Sequence, residues 1–341
     1  MHLRTSAMGG RLAMRVEVEP LPLKAPFRIS GYTFTDVPVA VATLQSGAAR
    51  GRGEAAGVYY LQDTPALIAP ALEAHRDAIE AGIDRAALRE LLPVGGARNA
   101  VDCALWDLEA KLAGRPVWQL AGIDRPVARV TTFTVGADEP AVVASGARAL
   151  AGARAIKLKL DGDVDADIER VRCLRAARPD VWLGVDANQG YRLDSLAVVL
   201  PHLVDAGVKL IEQPLPRGRE ADLEGLECPI PVAADESMQG LADVAGLVGR
   251  FDVVNIKLDK CGGLTEALLI VAEARRLGLG VMVGNMLGTS LAMAPAFIVA
   301  QLCDYVDLDG PIFLARDREP GVRYEAGSVE CPDAIWGSGQ P

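Results

Sequence analysis

From Arg15 to about Gly57 the apolar positions fall in short alternating runs. Val16, Val18 and Leu21 belong to one extended segment, and Val37-Pro-Val-Ala-Val-Ala-Thr-Leu forms another. Gln45-Ser-Gly-Ala-Ala-Arg-Gly then turns the chain back, so the pattern predicts strand, loop, strand, strand as an antiparallel meander. Residues 64–121 change to helical spacing. Thr64-Pro65 opens a helix with a capping residue and a proline in the first turn. Ala100-Val-Asp-Cys-Ala-Leu-Trp-Asp-Leu-Glu-Ala-Lys-Leu carries apolar residues at helical period and stops at Gly114.

After Arg125-Pro126 the texture changes again, to short apolar runs alternating with helical segments. Strands are expected near 130–135, 154–160, 181–187, 209–214, 231–235, 252–258, 280–285 and 304–308. Asp163–Ala177 and Thr265–Leu277 are typical of the helices between them. Eight such runs predict an α/β fold, a modified (β/α)7β barrel, with the meander and helices as an α+β capping domain. An open doubly wound sheet remains as an alternative, but no glycine fingerprint follows the first strand. The division expected is a cap over 15–125, to which the segment from about 315 to 341 could return, and a barrel over 126–314.

A chain of 341 residues with half of them apolar can bury a large core. The net charge of −10 argues against phosphate backbones as partners, and no apolar run reaches membrane-spanning length. Residues 1–14 lack an apolar signal core; they could be a disordered extension, with Met8 or Met14 as alternative starts. Six scattered cysteines read as free thiols in a reducing cytoplasm. The three histidines lie outside every strand-end motif, which disfavours zinc sites and a histidine base.

The polar strand ends carry the chemistry. Val185-Asp186-Ala-Asn, Ile211-Glu212-Gln-Pro and Ala234-Asp235-Glu-Ser each end an apolar run in a carboxylate. At the C-terminal ends of successive parallel strands, Asp186, Glu212 and Asp235 would converge on one hard divalent cation. Taken singly, an acid at a strand end is more often a loop or helix-cap residue than a ligand; the three in register with flanking lysines change that. Lys157-Leu158-Lys159 ends the run before them and Asn255-Ile256-Lys257 the run after. Alternation points Lys157 and Lys159 to one face. A lysine on each flank could take a proton from one face of a carbon beside a carboxylate and return one to the other. The cation would stabilise the enediolate, and each lysine would need a pKa lowered by burial or a neighbouring cation. The bland alternatives are solvated lysines on an exposed strand and, for Lys257, a salt bridge to Asp235 or Glu236.

This combination resembles the enolase superfamily, and within it the muconate-lactonising subgroup, over nearly the whole chain from about residue 15. Pro93-Val-Gly-Gly-Ala-Arg-Asn-Ala-Val-Asp-Cys-Ala-Leu-Trp-Asp-Leu is similar to the family's helical capping segment. The resemblance implies Lys159 and Lys257 as acid/base catalysts, Lys157 as their assistant toward the substrate carboxylate, and Mg2+ on Asp186, Glu212 and Asp235. A lysine base paired with magnesium is an established property of that superfamily, not a deduction from this chain.

Tyr305-Val-Asp-Leu-Asp-Gly-Pro places Asp307 and Asp309 on one face at the end of the eighth run. Two acids there suit a substrate ammonium, although they could instead start the turn at Gly310-Pro311 or belong to a metal site. An Asp-x-Asp here is similar to the dipeptide epimerases, as is Asn255-Ile-Lys-Leu-Asp-Lys-Cys-Gly-Gly-Leu-Thr-Glu-Ala-Leu. The resemblance implies an isomerase that inverts the second α-carbon of L-Ala-L-Xaa, closest to the L-Ala-D/L-Glu type. The chain departs from that type after Pro26-Phe27: Arg28 comes too early to match the arginine that pairs with glutamate. Tyr32 and Phe34 could line an apolar pocket for another Xaa. N-acylamino-acid racemase, o-succinylbenzoate synthase and cycloisomerase share the lysines and acids and stay open, as does a non-catalytic metal-binding homologue. The expected partner is a small dipeptide, not nucleic acid or membrane, and a homo-oligomer is compatible with the resemblance.

Overall fold

A computed structural model describes residues 10–29 and 32–340, with the backbone alone for Arg28 and Ile29. Most of the N-terminal extension therefore lies outside the described residues. The first strands are β1 (Ala13–Glu19), β2 (Pro22–Ile29), β3 (Tyr32–Asp36), β4 (Val39–Ser46) and β5 (Ala49–Ala55). β1, β4 and β5 form the expected antiparallel meander. β2 and β3 pair separately as a two-stranded ribbon that the alternation did not reveal. Lys24, two prolines and the irregular register of β2 break the period of two, so the ribbon has no apolar face to announce it.

Helices α1 (Pro65–Ala74), α2 (Arg76–Glu80), α3 (Arg85–Leu91), α4 (Gly96–Ala113) and α5 (Val117–Leu120) follow. Thr64 and Gly114 cap α1 and α4 where the sequence placed those ends. α4 is buried along most of its length because the meander covers one side and the barrel the other. Its approach to β5 requires glycine: a Cβ on Gly51 would stand 2.1 Å from the Ala104 carbonyl oxygen.

The second part runs β6 (Arg129–Val130), β7 (Thr132–Val135), α6 (Pro140–Ala149), β8 (Ala155–Lys159), α7 (Val164–Ala177), β9 (Trp182–Asp186), α8 (Leu193–Asp205), β10 (Leu210–Glu212), β11 (Val232–Ala234), β12 (Val253–Ile256), α9 (Leu258–Cys261), α10 (Leu264–Arg276), β13 (Gly280–Val283), α11 (Ser290–Ala300) and β14 (Tyr305–Val306). Strands β7 to β14 form one eight-stranded parallel sheet in sequential order. This is the expected barrel, except that the connections after β10 and β11 hold only short 3-10 turns, Glu220–Leu223 and Leu241–Leu247. Ile156 and Leu158 of β8 are fully buried against the helices, while Lys157 and Lys159 alternate to the inside.

Side-chain bonds bridge the seam between β14 and β7. The Leu308 amide donates to Thr131 Oγ1 at 2.9 Å, and the Thr134 amide donates to Asp309 Oδ2 at 2.7 Å. Two further strands, β15 (Arg323–Glu325) and β16 (Ser328–Glu330), pair onto β6. The chain then returns to the cap: Trp336 Nε1 donates to the Arg52 carbonyl at 2.8 Å and the Gly337 amide to Asp107 Oδ1 at 2.8 Å. All six cysteines are unpaired, with Cys103, Cys261 and Cys303 buried. Among the described residues no helix is long and apolar enough to cross a membrane.

Candidate active site

Parallel pairing in register brings the polar strand ends together. Lys159 faces Asp186 across the β8–β9 ladder, and Asp186 faces Glu212 across β9–β10. Asp235 follows the last residue of β11, and Lys257 the last of β12. Carboxylate oxygens of Asp186, Glu212 and Asp235 all lie within 4.8 Å of one another. All three acids are buried.

The lysines flank this trio. Lys159 Nζ donates to Asp186 Oδ2 at 2.6 Å, and Lys257 Nζ donates to Asp235 Oδ2 at 2.7 Å. Lys157 Nζ lies 3.3 Å from Glu212 Oε2 and is paired with Asp307. The salt bridge weighed for Lys257 is therefore present, and it involves a carboxylate of the trio.

The acids dominate the electrostatics of two of the lysines. Burial lowers the pKa of Lys257, but Asp235 and Glu212 outweigh it and hold the group well above the ordinary lysine value. Lys157 is likewise raised, because Asp307, Glu212 and Asp186 overcome its burial. Glu212 is pushed up to about 7 by burial and by Asp186, with Lys157 opposing. Asp235 is held far below the carboxylate range because Lys257 and Lys260 outweigh its burial.

This donor set fits a hard cation. It offers three oxygen ligands on rigid strands, and the mutual repulsion felt at Glu212 is what a divalent ion relieves. Pattern reading missed the supports of these acids. Asn255 Nδ2 donates to Glu212 Oε1 at 2.7 Å, and Lys260 Nζ to Asp235 Oδ1 at 2.5 Å. Gln213, at φ 35°, uses its whole amide. Oε1 accepts from the Asp235 and Ser237 amides, each at 3.0 Å. Nε2 donates to the Leu215 carbonyl and Ser237 Oγ, each at 2.9 Å. Asn255 was findable, being two residues from Lys257 on the same strand face.

Across the barrel mouth, Thr132 Oγ1 donates to Asp307 Oδ1 at 2.5 Å, and Asp309 takes the Thr134 amide. Burial and then Asp307 push Asp309 up to about 6, with Lys157 opposing. Asp307 and Asp309 share with Lys157, Lys159 and Lys257 the wall of a cavity of about 240 Å³. The cap supplies most of the aromatic part of that wall through Phe27, Phe34, Tyr59 and Tyr60, and Phe313 adds a ring after β14. Tyr32 stands one layer back: it is 45% exposed and packs edge-on against Tyr59, centroids 4.6 Å apart. The side chain of Arg28 lies outside the described residues. Tyr59 and Tyr60 went unnoticed because they sit in an irregular turn with no period to read.

Comparison with known proteins agrees with this geometry. Residues 141–339 match the enolase C-terminal domain-like family, and residues 12–122 match the mandelate racemase / muconate lactonizing enzyme N-terminal domain. The L-Ala-D/L-Glu epimerase of Escherichia coli K12 is 39% identical over 318 residues, 93% of this chain and 98% of that protein. An enolase family member from Agrobacterium tumefaciens, crystallised with sodium and L-Ala-L-Glu, superposes with a TM-score of 0.91 at 40% identity, covering 96% of this chain and 100% of that one. The dipeptide epimerase of Methylococcus capsulatus, complexed with Mg and L-Arg-D-Lys, gives 0.88 at 32% identity, covering 94% and 97%. By fold, acidic trio and sequence, this chain belongs to the mandelate racemase / muconate lactonizing enzyme family of the enolase superfamily.

Proposed function

We propose that the chain is a magnesium-dependent dipeptide epimerase that inverts the α-carbon of the second residue of L-Ala-L-Xaa. The observation that carries this reading is the placement of Lys159 and Lys257 on opposite flanks of the buried acid trio, with Asp307 and Asp309 across the same cavity. A cation on Asp186, Glu212 and Asp235 supplies, when bound, positive charge beside the substrate carboxylate and draws the acids' charge away from the lysines. One lysine, as the neutral amine, takes the α-proton: the C–H bond breaks and an N–H bond forms. The other, as the ammonium, delivers a proton to the opposite face of the planar carbon. Their roles exchange in the reverse direction. Lys157 holds the substrate carboxylate, and Asp307 with Asp309 holds the N-terminal ammonium.

Phe34 with Tyr59 and Tyr60 forms the wall that meets the Xaa side chain, which supports an apolar or aromatic Xaa over glutamate. On this reading the cap comprises 15–125 with the C-terminal segment from about 315, and the barrel comprises 126–314. The unpaired cysteines support a cytoplasmic location, and the net negative charge supports a small-molecule partner over nucleic acid.

A second reading has one observation behind it. Lys157 already neutralises Asp307, and Asp309 already bridges the barrel seam, so both acids have structural work without an ammonium. An N-acylamino-acid racemase would need no more. The test is a mass-spectrometric screen of L-Ala-L-Xaa dipeptides in deuterium oxide with magnesium. A one-unit mass gain on particular dipeptides is the expected result. No gain on any dipeptide, with turnover of N-acylamino acids, would replace the first reading with the second.

A further inference from the structure

Lys257 precedes α9, a single turn, and that turn is gripped from above by the cap. Arg98 Nη2 of α4 donates to the Cys261 carbonyl at 2.6 Å. Just beyond the turn, at the start of α10, Asp102 accepts the Thr265 amide at 2.9 Å, and Trp106 Nε1 donates to Thr265 Oγ1 at 2.9 Å. The fit is close: at Gly263, whose φ is 109°, a Cβ would stand 2.5 Å from Asp102 Oδ2. At the head of the turn Asp259 Oδ1 accepts the Gly57 amide at 2.9 Å and the Asn99 side-chain amide at 3.4 Å. Gly57 lies two residues before Tyr59 and three before Tyr60, which wall the cavity. On the other side of the same turn Lys260 is tied to Asp235 and to the Asn255 carbonyl, at 3.1 Å for the latter. One helical turn thus joins the catalytic strand end below to the pocket wall above.

We propose that Asp259 is a positioning residue that holds Lys257 in register with the cap segment 57–60. This inference rests on the two-lysine reading. The carboxyl is buried, and among the described residues no cation is bonded to it; burial, eased by the Gly57 amide, and the nearby Asp63 push it up to about 7. Its work is therefore that of a hydrogen-bond acceptor, and Asparagine can do the same from Oδ1. Losing the acceptor frees the turn toward the cap while Lys159, on β8, keeps its place. A small displacement of a catalytic group costs roughly 10- to 100-fold in rate.

The experiment follows α-proton exchange with deuterium oxide for the L,L and L,D dipeptides separately, in full-length enzyme with magnesium. Lys159→Ala and Lys257→Ala assign one epimer to each lysine. Asp259→Ala is expected to slow the epimer served by Lys257 at least about 10-fold more than the other. Asp259→Asn is expected to stay within about 3-fold of wild type for both. Equal slowing of both epimers, no slowing, or an Asn variant as poor as Ala would overturn the inference. Asp259→Ser replaces the Ala variant if that protein does not fold. Wild-type enzyme that exchanges neither epimer would overturn the functional reading itself, an outcome visible before any Asp259 variant is compared.

Discussion

The floor of the cavity and its cap-side wall are built on different principles. The floor consists of strand ends in parallel register, with buried charges that answer one another: Lys159 to Asp186, Lys257 to Asp235, Lys157 to Asp307. The wall consists of Phe34 of β3 against Tyr59 and Tyr59 against Tyr60, each at a centroid distance of 5.2 Å, beside Phe27 of β2, which rests on Phe313 at 4.8 Å. Rigid elements hold reacting groups in place, whereas an irregular rim can vary its side chains without disturbing them. The comparison assigns chemistry to the floor and selectivity to the wall.

The hardest blow to the floor is removal of the cation. Dialysis against a chelator should abolish turnover, with magnesium restoring it; full activity in metal-free enzyme would remove the acid trio from the mechanism. Lys159→Ala and Lys257→Ala should each lower epimerisation by roughly 10²- to 10⁴-fold, the usual contribution of a positioned acid or base. Single-turnover exchange should show that each variant keeps proton transfer on one face, a pattern that no wall substitution should reproduce.

Asp309→Asn should cost roughly 100-fold in kcat/KM for a dipeptide, as loss of a buried charge partner does, and change little for an N-acylamino acid. Its pH dependence gives a second check. On the proposed role the ionised form pairs with the substrate ammonium, and the group sits at about 6, so kcat/KM should fall as pH drops through about 6. Asp307 and Lys157 face the same carboxyl and titrate outside that window by direction: Asp307 is held below the usual value and Lys157 above. The Asn variant should lose that limb of the profile.

Gln213→Leu should weaken magnesium binding roughly 10- to 100-fold, because partners of metal ligands carry that much of the affinity. Calorimetric titration of the folded variant is the readout; an unchanged Kd with a lowered Tm would make Gln213 a purely structural brace. The smallest effect belongs to the wall. Phe34→Ala should raise KM for Ala-Phe or Ala-Leu about 10-fold, consistent with the ~1.5 kcal/mol or more carried by a buried large side chain, and leave kcat nearly unchanged. A fall in kcat instead would end the division between floor and wall.

The eight strands were legible because their apolar runs are short and evenly spaced, and each of the eight lies where its run predicted. The floor was legible for the same reason: in a parallel barrel the functional atoms sit at strand ends, so a polar residue closing an apolar run already has an address. The β2–β3 ribbon was not legible, since two strands without a core of their own leave no periodic trace.

The sequence alone determined which residues would meet at the barrel mouth, because alternation and register are local properties repeated strand by strand. Tertiary structure decided how those residues act on one another. The sign of the Lys257 shift depends on Asp235 and Glu212, which lie on other strands. Asp307 acquires its partner from β8 and Asp309 its amide from β7. Most of the aromatic wall comes from residues 27–60, far along the chain from Asp307 and Asp309, and meets them only across the cavity. Charge interaction and close packing depend on distances through space, and no pattern along the chain encodes those until the fold has closed.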